Sequence, residues 1–163
     1  MPELSPANAL LFLRDEDLRQ GFDLLYFAQR DLEAAGAALL EQHGLQGGHR
    51  RVIHFLARQP ESNVTELLEL LGLTKQSLGR LLNELEAQAL IKHRQGIQDR
   101  RQRLLSLTDS GRALERQLWE QQRIRIARAF REAGPQAVEG FRRVLDGLTG
   151  RPGPIIPASG GRG

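Results

Sequence analysis

The chain has no cysteine, which excludes disulfides, thiolate metal sites and a thiol redox sensor from its 163 residues. It also has no apolar run of the roughly 18 residues that a membrane-spanning helix needs. Aromatic residues are only 5% of the sequence and β-branched residues are few, whereas leucine is abundant, so helix is expected to dominate. A signal peptide is not expected either: Arg14, Asp15, Glu16 and Asp17 follow the short apolar run at residues 10–13, and the reading is a cytoplasmic protein. Catalysis finds no footing. Ser77, Ser106 and Ser110 lack a strand-to-helix nucleophile elbow, and the glycines form no phosphate-cradling loop.

What the sequence does have is an uneven distribution of charge. The net charge is only +3, yet residues 74–103 carry seven cations against three anions, an excess of four. The rest of the chain therefore sums to −1. A basic stretch of this kind is expected to face phosphates.

Periodicity places the elements around it. Leu18, Phe22, Leu25, Leu32 and Leu39, with Gln29 in the seam, predict one long helix over about 17–43, capped by Asp15 or Asp17 and stopped by Gly44. A shorter helix follows Gly47 and Gly48, with its end near Gln59 because the residue before Pro60 disfavours helix. Thr65 is placed to cap residues 66–71, and Gly72 ends that helix. Thr74 is placed to cap the next helix, which runs to about Gln88. Leu67, Leu68 and Leu71 then face Leu78, Leu81, Leu82 and Leu85 across a glycine-containing turn of three residues, a helix-turn-helix pattern. Residues 90–91 and 104–107 read as two strands of a hairpin opened by Gly96, hence a wing. Thr108 or Asp109 caps a long helix to about Glu132, and Pro135 starts a last one carrying Val138, Phe141, Leu145 and Leu148. The tail from Gly150 is expected to be disordered.

Reading bases in the major groove takes exposed donors and acceptors near the start of a helix. Thr74, Lys75, Gln76, Ser77, Arg80 and Asn83 supply them on the second helix of the pair, leaving the leucines to the core. Gln76 and Asn83 suit adenine, Arg80 guanine, and Lys75 phosphate or guanine. In the wing, Arg94, Arg100, Arg101 and Arg103, with His93 nearby, suit a narrow minor groove. Asp99 among them is expected to orient an arginine and pre-order the loop.

Several of these features resemble the MarR family of bacterial regulators. Asp99, Arg100 and Arg101 match its wing tip, Leu107 and Thr108 its closing strand, and LTKQSLGRLLNELEAQALI its recognition helix and first wing strand. The resemblance spans roughly Asp17 to Leu148. It implies a mainly α fold with a small β-hairpin wing: a winged helix-turn-helix with N- and C-terminal dimerisation helices. The expected layout is an arm at 1–16, a winged-helix domain at 17–149 and a tail at 150–163. Within that domain, about 48–108 is the DNA-binding lobe, and about 17–43 and 109–149 are dimerisation helices. The resemblance further implies a homodimer on a pseudo-palindromic operator, most often as a repressor, with Arg101 entering the minor groove and Asp99 orienting it.

Family members often sense small molecules, so an aromatic or anionic effector is implied. Tyr26, Arg30, His49, His54 and Trp119 are its candidate lining, although a Tyr or Trp in a helical stripe is more often core. No metal or cofactor is expected. His49 and His54 stand five apart, which does not put both on one helix face, and only Glu41 is an acidic neighbour at ligand spacing. The alternative reading is a winged-helix protein–protein adaptor. An adaptor would expose an apolar or acidic second helix and an uncharged wing, the opposite of what stands here.

Overall fold

Leucines three and four residues apart converge on a single core. Leu67, Leu78, Leu81, Leu82 and Leu85 pack with Val52, Ile53, Leu56, Leu105 and Leu107, and Leu114 and Leu118 close the cluster. Each fully buried leucine of this kind contributes roughly 2 kcal/mol.

The computed structural model describes residues 13–97 and 99–150. In chain order the elements are α1 (Asp15–Ala34), α2 (Ala37–Gln42), α3 (Gly47–Arg58), β1 (Ser62–Asn63), α4 (Val64–Leu71), α5 (Lys75–Ala87), β2 (Ile91–Gln95), β3 (Arg103–Leu107), α6 (Asp109–Ala133) and α7 (Pro135–Thr149). They fall into two units, one ending at Ala35 and one beginning at Gly36. The expected tail from residue 151 onward, and the arm up to residue 12, lie outside the described residues.

Among its described residues, the first unit carries the amphipathic helix α1. Arg14 is its N-cap and makes no side-chain cap bond, so Asp15 and Asp17 sit in the first turn, not at the cap. There their charge complements the helix dipole. The single helix expected over 17–43 is also corrected. Ala35 is extended and Gly36 takes φ 91, so the chain breaks and restarts as α2. Gly36 is needed for that left-handed turn, and a Cβ on it would also press on a Leu118 methyl at 3.3 Å.

In the second unit α4 and α5 form the helix-turn-helix. Asn63, not Thr65, caps α4: its side chain accepts from the Glu66 N–H at 2.9 Å while Glu66 accepts from the Asn63 N–H at 2.8 Å. This reciprocal pair is a capping box. Thr74 caps α5, accepting from the Ser77 N–H at 3.2 Å, and Thr108 caps α6, accepting from the Gly111 N–H at 3.0 Å. Pro135 occupies the first turn of α7.

The sheet has three strands in the order β1-β3-β2, all antiparallel. β2 and β3 form the expected hairpin, with Ile91 opposite Leu107 and Gln95 opposite Arg103. The third strand, β1, adds Ser62 opposite Leu105 and was absent from the two-strand expectation. Ser62 is buried, and its hydroxyl donates to the Gln59 carbonyl at 2.8 Å.

Between α5 and β2 the backbone carries a strain. Ala89 has φ 53, a region that costs a residue with a Cβ. Its carbonyl accepts from the Thr108 hydroxyl at 2.7 Å, which holds the turn against α6. Ala89→Gly is expected to stabilise the chain by about 0.5–1 kcal/mol, with the larger unfolded-state entropy of glycine offsetting part of the relief. Urea unfolding reads this as a higher midpoint at unchanged slope. A lower midpoint would mean that Ala89 is not strained.

Candidate nucleic-acid interface

The leucines of α5 commit one face of the helix to the core, and this leaves Lys75, Gln76, Arg80 and Asn83 exposed on the other. Ser77 and Thr74 are exposed too, but they engage each other: the Thr74 hydroxyl donates to Ser77 Oγ at 2.9 Å. These two residues define where the helix begins.

A buried histidine fixes the helix from behind. His49 on α3 is 2% exposed, and its Nδ1 accepts the Gln46 backbone N–H at 3.0 Å. Nε2 therefore carries the proton and donates to Glu84 Oε2 at 2.6 Å, across 35 residues of sequence. The other oxygen of Glu84 lies 3.6 Å from Arg80 Nη1. His49 thus spends both ring nitrogens on the fold and joins α3 to the exposed helix. In the sequence His49 stands among the candidate effector lining, and no local pattern signals its bond to Glu84, 35 residues away.

The wing is rooted on the same helix. Glu86 Oε1 accepts from His93 Nδ1 or its partner Arg103 Nη2, at 2.7 Å and 3.0 Å respectively, with Arg103 Nη2 also 2.9 Å from His93 Nδ1. Arg94 Nε donates to Glu61 Oε1 at 2.7 Å. Two of the four wing arginines are therefore ion-paired where the strands run into the loop. These pairs are exposed and screened, so each contributes at most about 1 kcal/mol.

The tip is built differently. Gly96 N–H donates to the Gln102 carbonyl at 2.9 Å, and Gln102 N–H to the Asp99 carbonyl at 3.1 Å. A Cβ on Gly96 would meet that Asp99 carbonyl oxygen at 2.6 Å, so the close turn needs glycine. The Asp99 carboxylate accepts the Arg101 backbone N–H at 2.9 Å, as in an Asx turn. Arg100 and Arg101 are exposed and make no ion pair among the described residues. Lys75 makes none either. Lys75 at the start of α5 and Arg100 and Arg101 at the tip of the wing are thus left unspent on the fold.

The remaining candidates belong to both units. Tyr26 and Arg30 belong to α1, where Tyr26 is exposed and Arg30 stacks over the Phe27 ring at 4.7 Å while bonding Asp31 at 2.8 Å. His54 and Trp119 meet in the second unit, ring centroids 6.2 Å apart. With Arg50, Glu115 and Gln122 they line a cavity of about 10 Å³, room for a single water and not for an aromatic ring. Burial holds the His54 pKa below its ordinary value, helped by Arg58 and Arg50, and burial also raises that of Glu115. Among the described residues no group of three His, Asp or Glu side chains is placed to hold a metal.

Comparison with known proteins agrees with this geometry. The model of the MarR family matches residues 43–102, from the end of α2 to the tip of the wing. The HTH-type transcriptional regulator PetP of Rhodobacter capsulatus is 48% identical over 141 residues, covering 86% of this chain and 85% of that protein. Among solved structures, a MarR family transcriptional regulator from Silicibacter pomeroyi has a TM-score of 0.66 at 23% identity, over 77% of this chain and 84% of the other. Streptococcus pneumoniae FabT, solved in complex with DNA, has a TM-score of 0.70 at 18% identity, over 82% and 96%. At those identities the structural matches speak for the fold alone.

Proposed function

The chain belongs to the MarR family of winged-helix, DNA-binding transcriptional regulators, not to an enzyme family, and from that premise we propose that it acts in the cytoplasm as a homodimeric repressor on a pseudo-palindromic operator. The observation that carries this reading is the division of cations: Arg94 and Arg103 anchor the wing, while Lys75, Arg100 and Arg101 remain unpaired among the described residues. In this reading α5 enters the major groove with Gln76, Arg80 and Asn83 towards base edges. Arg101 enters the minor groove, and Lys75 and Arg100 contact phosphate.

Exposed apolar side chains support the dimer. Phe22 and Leu24 on α1 are 69% and 66% exposed, and Val144 and Leu148 on α7 are 62% and 68% exposed. Such surface on a single chain is expected to find a partner, and a second copy is the economical one. Two copies would place two α5 helices about one DNA turn apart. A small aromatic or anionic effector, sensed beside His54 and Trp119, remains part of this reading. It requires the small cavity there to open.

The test is binding of a duplex from the upstream region of the protein's own gene, followed by fluorescence anisotropy across salt concentrations. Phosphate contacts release counterions, so affinity should fall steeply, with a log–log slope of about −4 if Lys75 and Arg100 of both copies reach phosphate, four contacts at about 0.9 each. Two chains should bind per duplex. Affinity indifferent to salt would defeat the proposal.

A further inference from the structure

Gly79 lies inside α5, where glycine is among the poorest choices for a helix. Neither backbone nor packing asks for it: its φ is not positive, and a Cβ there would meet nothing within 4 Å. Gly21, Gly140 and Gly147 also have open space, but they sit on α1 and α7, the helices with exposed apolar side chains. Gly79 sits on the polar helix instead. It follows Gln76 by three residues and precedes Asn83 by four, so the three lie along one side of the helix, Gln76 and Asn83 exposed and Gly79 half-buried at the edge of that face.

The chemistry of that row suggests what the missing Cβ makes room for. Gln76 and Asn83 are the side-chain type that pairs with adenine N6 and N7. Every adenine read in this way is paired with a thymine, whose C5-methyl group projects into the same groove beside it. A helix lying deep enough for its amides to reach adenine therefore brings its backbone up against that methyl group. Arg80, on the other side of the two amides, is long enough to reach past the methyl group to a base edge, but a short side chain at position 79 would press its Cβ against the methyl and hold the helix off.

We propose that Gly79 is the seat of an operator thymine methyl group and thereby a specificity-determining residue of this protein. The proposal rests on the reading of α5 as the major-groove helix. It explains why a residue that weakens the helix stands beside the amides of the face that would read DNA.

The experiment begins with wild-type protein and a random-sequence duplex pool, from which bound duplexes are enriched and sequenced. The best duplex is then measured by anisotropy with wild type and with Gly79→Ala. The variant is expected to melt about 1–4 °C higher, because the helix gains propensity. It is also expected to bind about tenfold or more weakly. Replacing the thymines of the site by deoxyuridine, which removes only the methyl groups, should return the variant to within about threefold of wild type. Gly79→Ser repeats the measurement with a second small side chain. Undiminished binding by Gly79→Ala, or a loss that deoxyuridine does not relieve, overturns the proposal and leaves the DNA reading standing. A wild-type protein that enriches no sequence overturns the DNA reading itself, and the seat with it.

Discussion

Arg101→Ala is expected to weaken operator binding by about 1–3 kcal/mol, roughly 5- to 150-fold, the loss typical of a side chain that reads a groove. The structure delivers this side chain with little freedom in its backbone. Two backbone bonds close the turn from Gly96 to Gln102, and the Asp99 carboxylate takes the Arg101 N–H at 2.9 Å. The guanidinium itself makes no ion pair among the described residues. Little therefore has to be broken before it binds DNA. Asp99→Ala in the same assay separates positioning from charge. Removing an anion from a basic surface should tighten binding if electrostatics alone matters. If Asp99 shapes the turn that presents Arg101, binding should weaken in spite of the gained charge. Unchanged affinity in Arg101→Ala, or tighter binding in Asp99→Ala, would contradict the assignment of the wing tip.

The parts of this architecture that were legible in the sequence are those set by local chemistry. Leucines at three- and four-residue spacing name the buried face of α5, and Thr74, Thr108 and Pro135 mark helix starts with side chains that act within one turn. The missed cap of α4 was also local. Asn63 and Glu66 stand at capping-box spacing, and Thr65 competes with Asn63 only because it too is a good cap. The break at Gly36 was harder. Nothing local forbids a helix from running through it at modest cost, and its φ of 91 is favoured only where the turn must fit beside Leu118 and Arg50. β1 is two residues long, and pairing with β3 makes it a strand, whatever its own pattern. The site divides in the same way. Its residue types and spacing were readable, but the assignment of Arg94 and Arg103 to anchoring duties depends on Glu61 and Glu86, which only the folded chain brings near.

Gly111→Ala is expected to be the most destabilising small change in this protein, by about 3–5 kcal/mol, the cost of forcing atoms into a site with no space. Helix propensity alone argues for the opposite sign, since alanine is preferred over glycine by about 1 kcal/mol within a helix. Space decides the matter. A Cβ on Gly111 would overlap the carbonyl oxygen of Leu90 and lie 3.0 Å from its carbonyl carbon, with Leu107 Cβ at 3.4 Å. That carbonyl cannot step aside freely, because it accepts the Thr108 N–H at 3.0 Å and the Thr108 hydroxyl at 3.2 Å. Leu90, Leu107 and Leu114 around it are all buried in the core. Making room would pull the start of α6 away from the junction of α5 and β2, so the wing and the exposed helix would lose their common support. Thermal unfolding should show a melting temperature lower by about 6–20 °C. Gly79→Ala, the same chemical change in open space, should shift it the other way. If Gly111→Ala melted at or above the wild-type temperature, the close approach of α6 to Leu90 would not be a feature of the folded protein, and the anchoring of the wing would need another source.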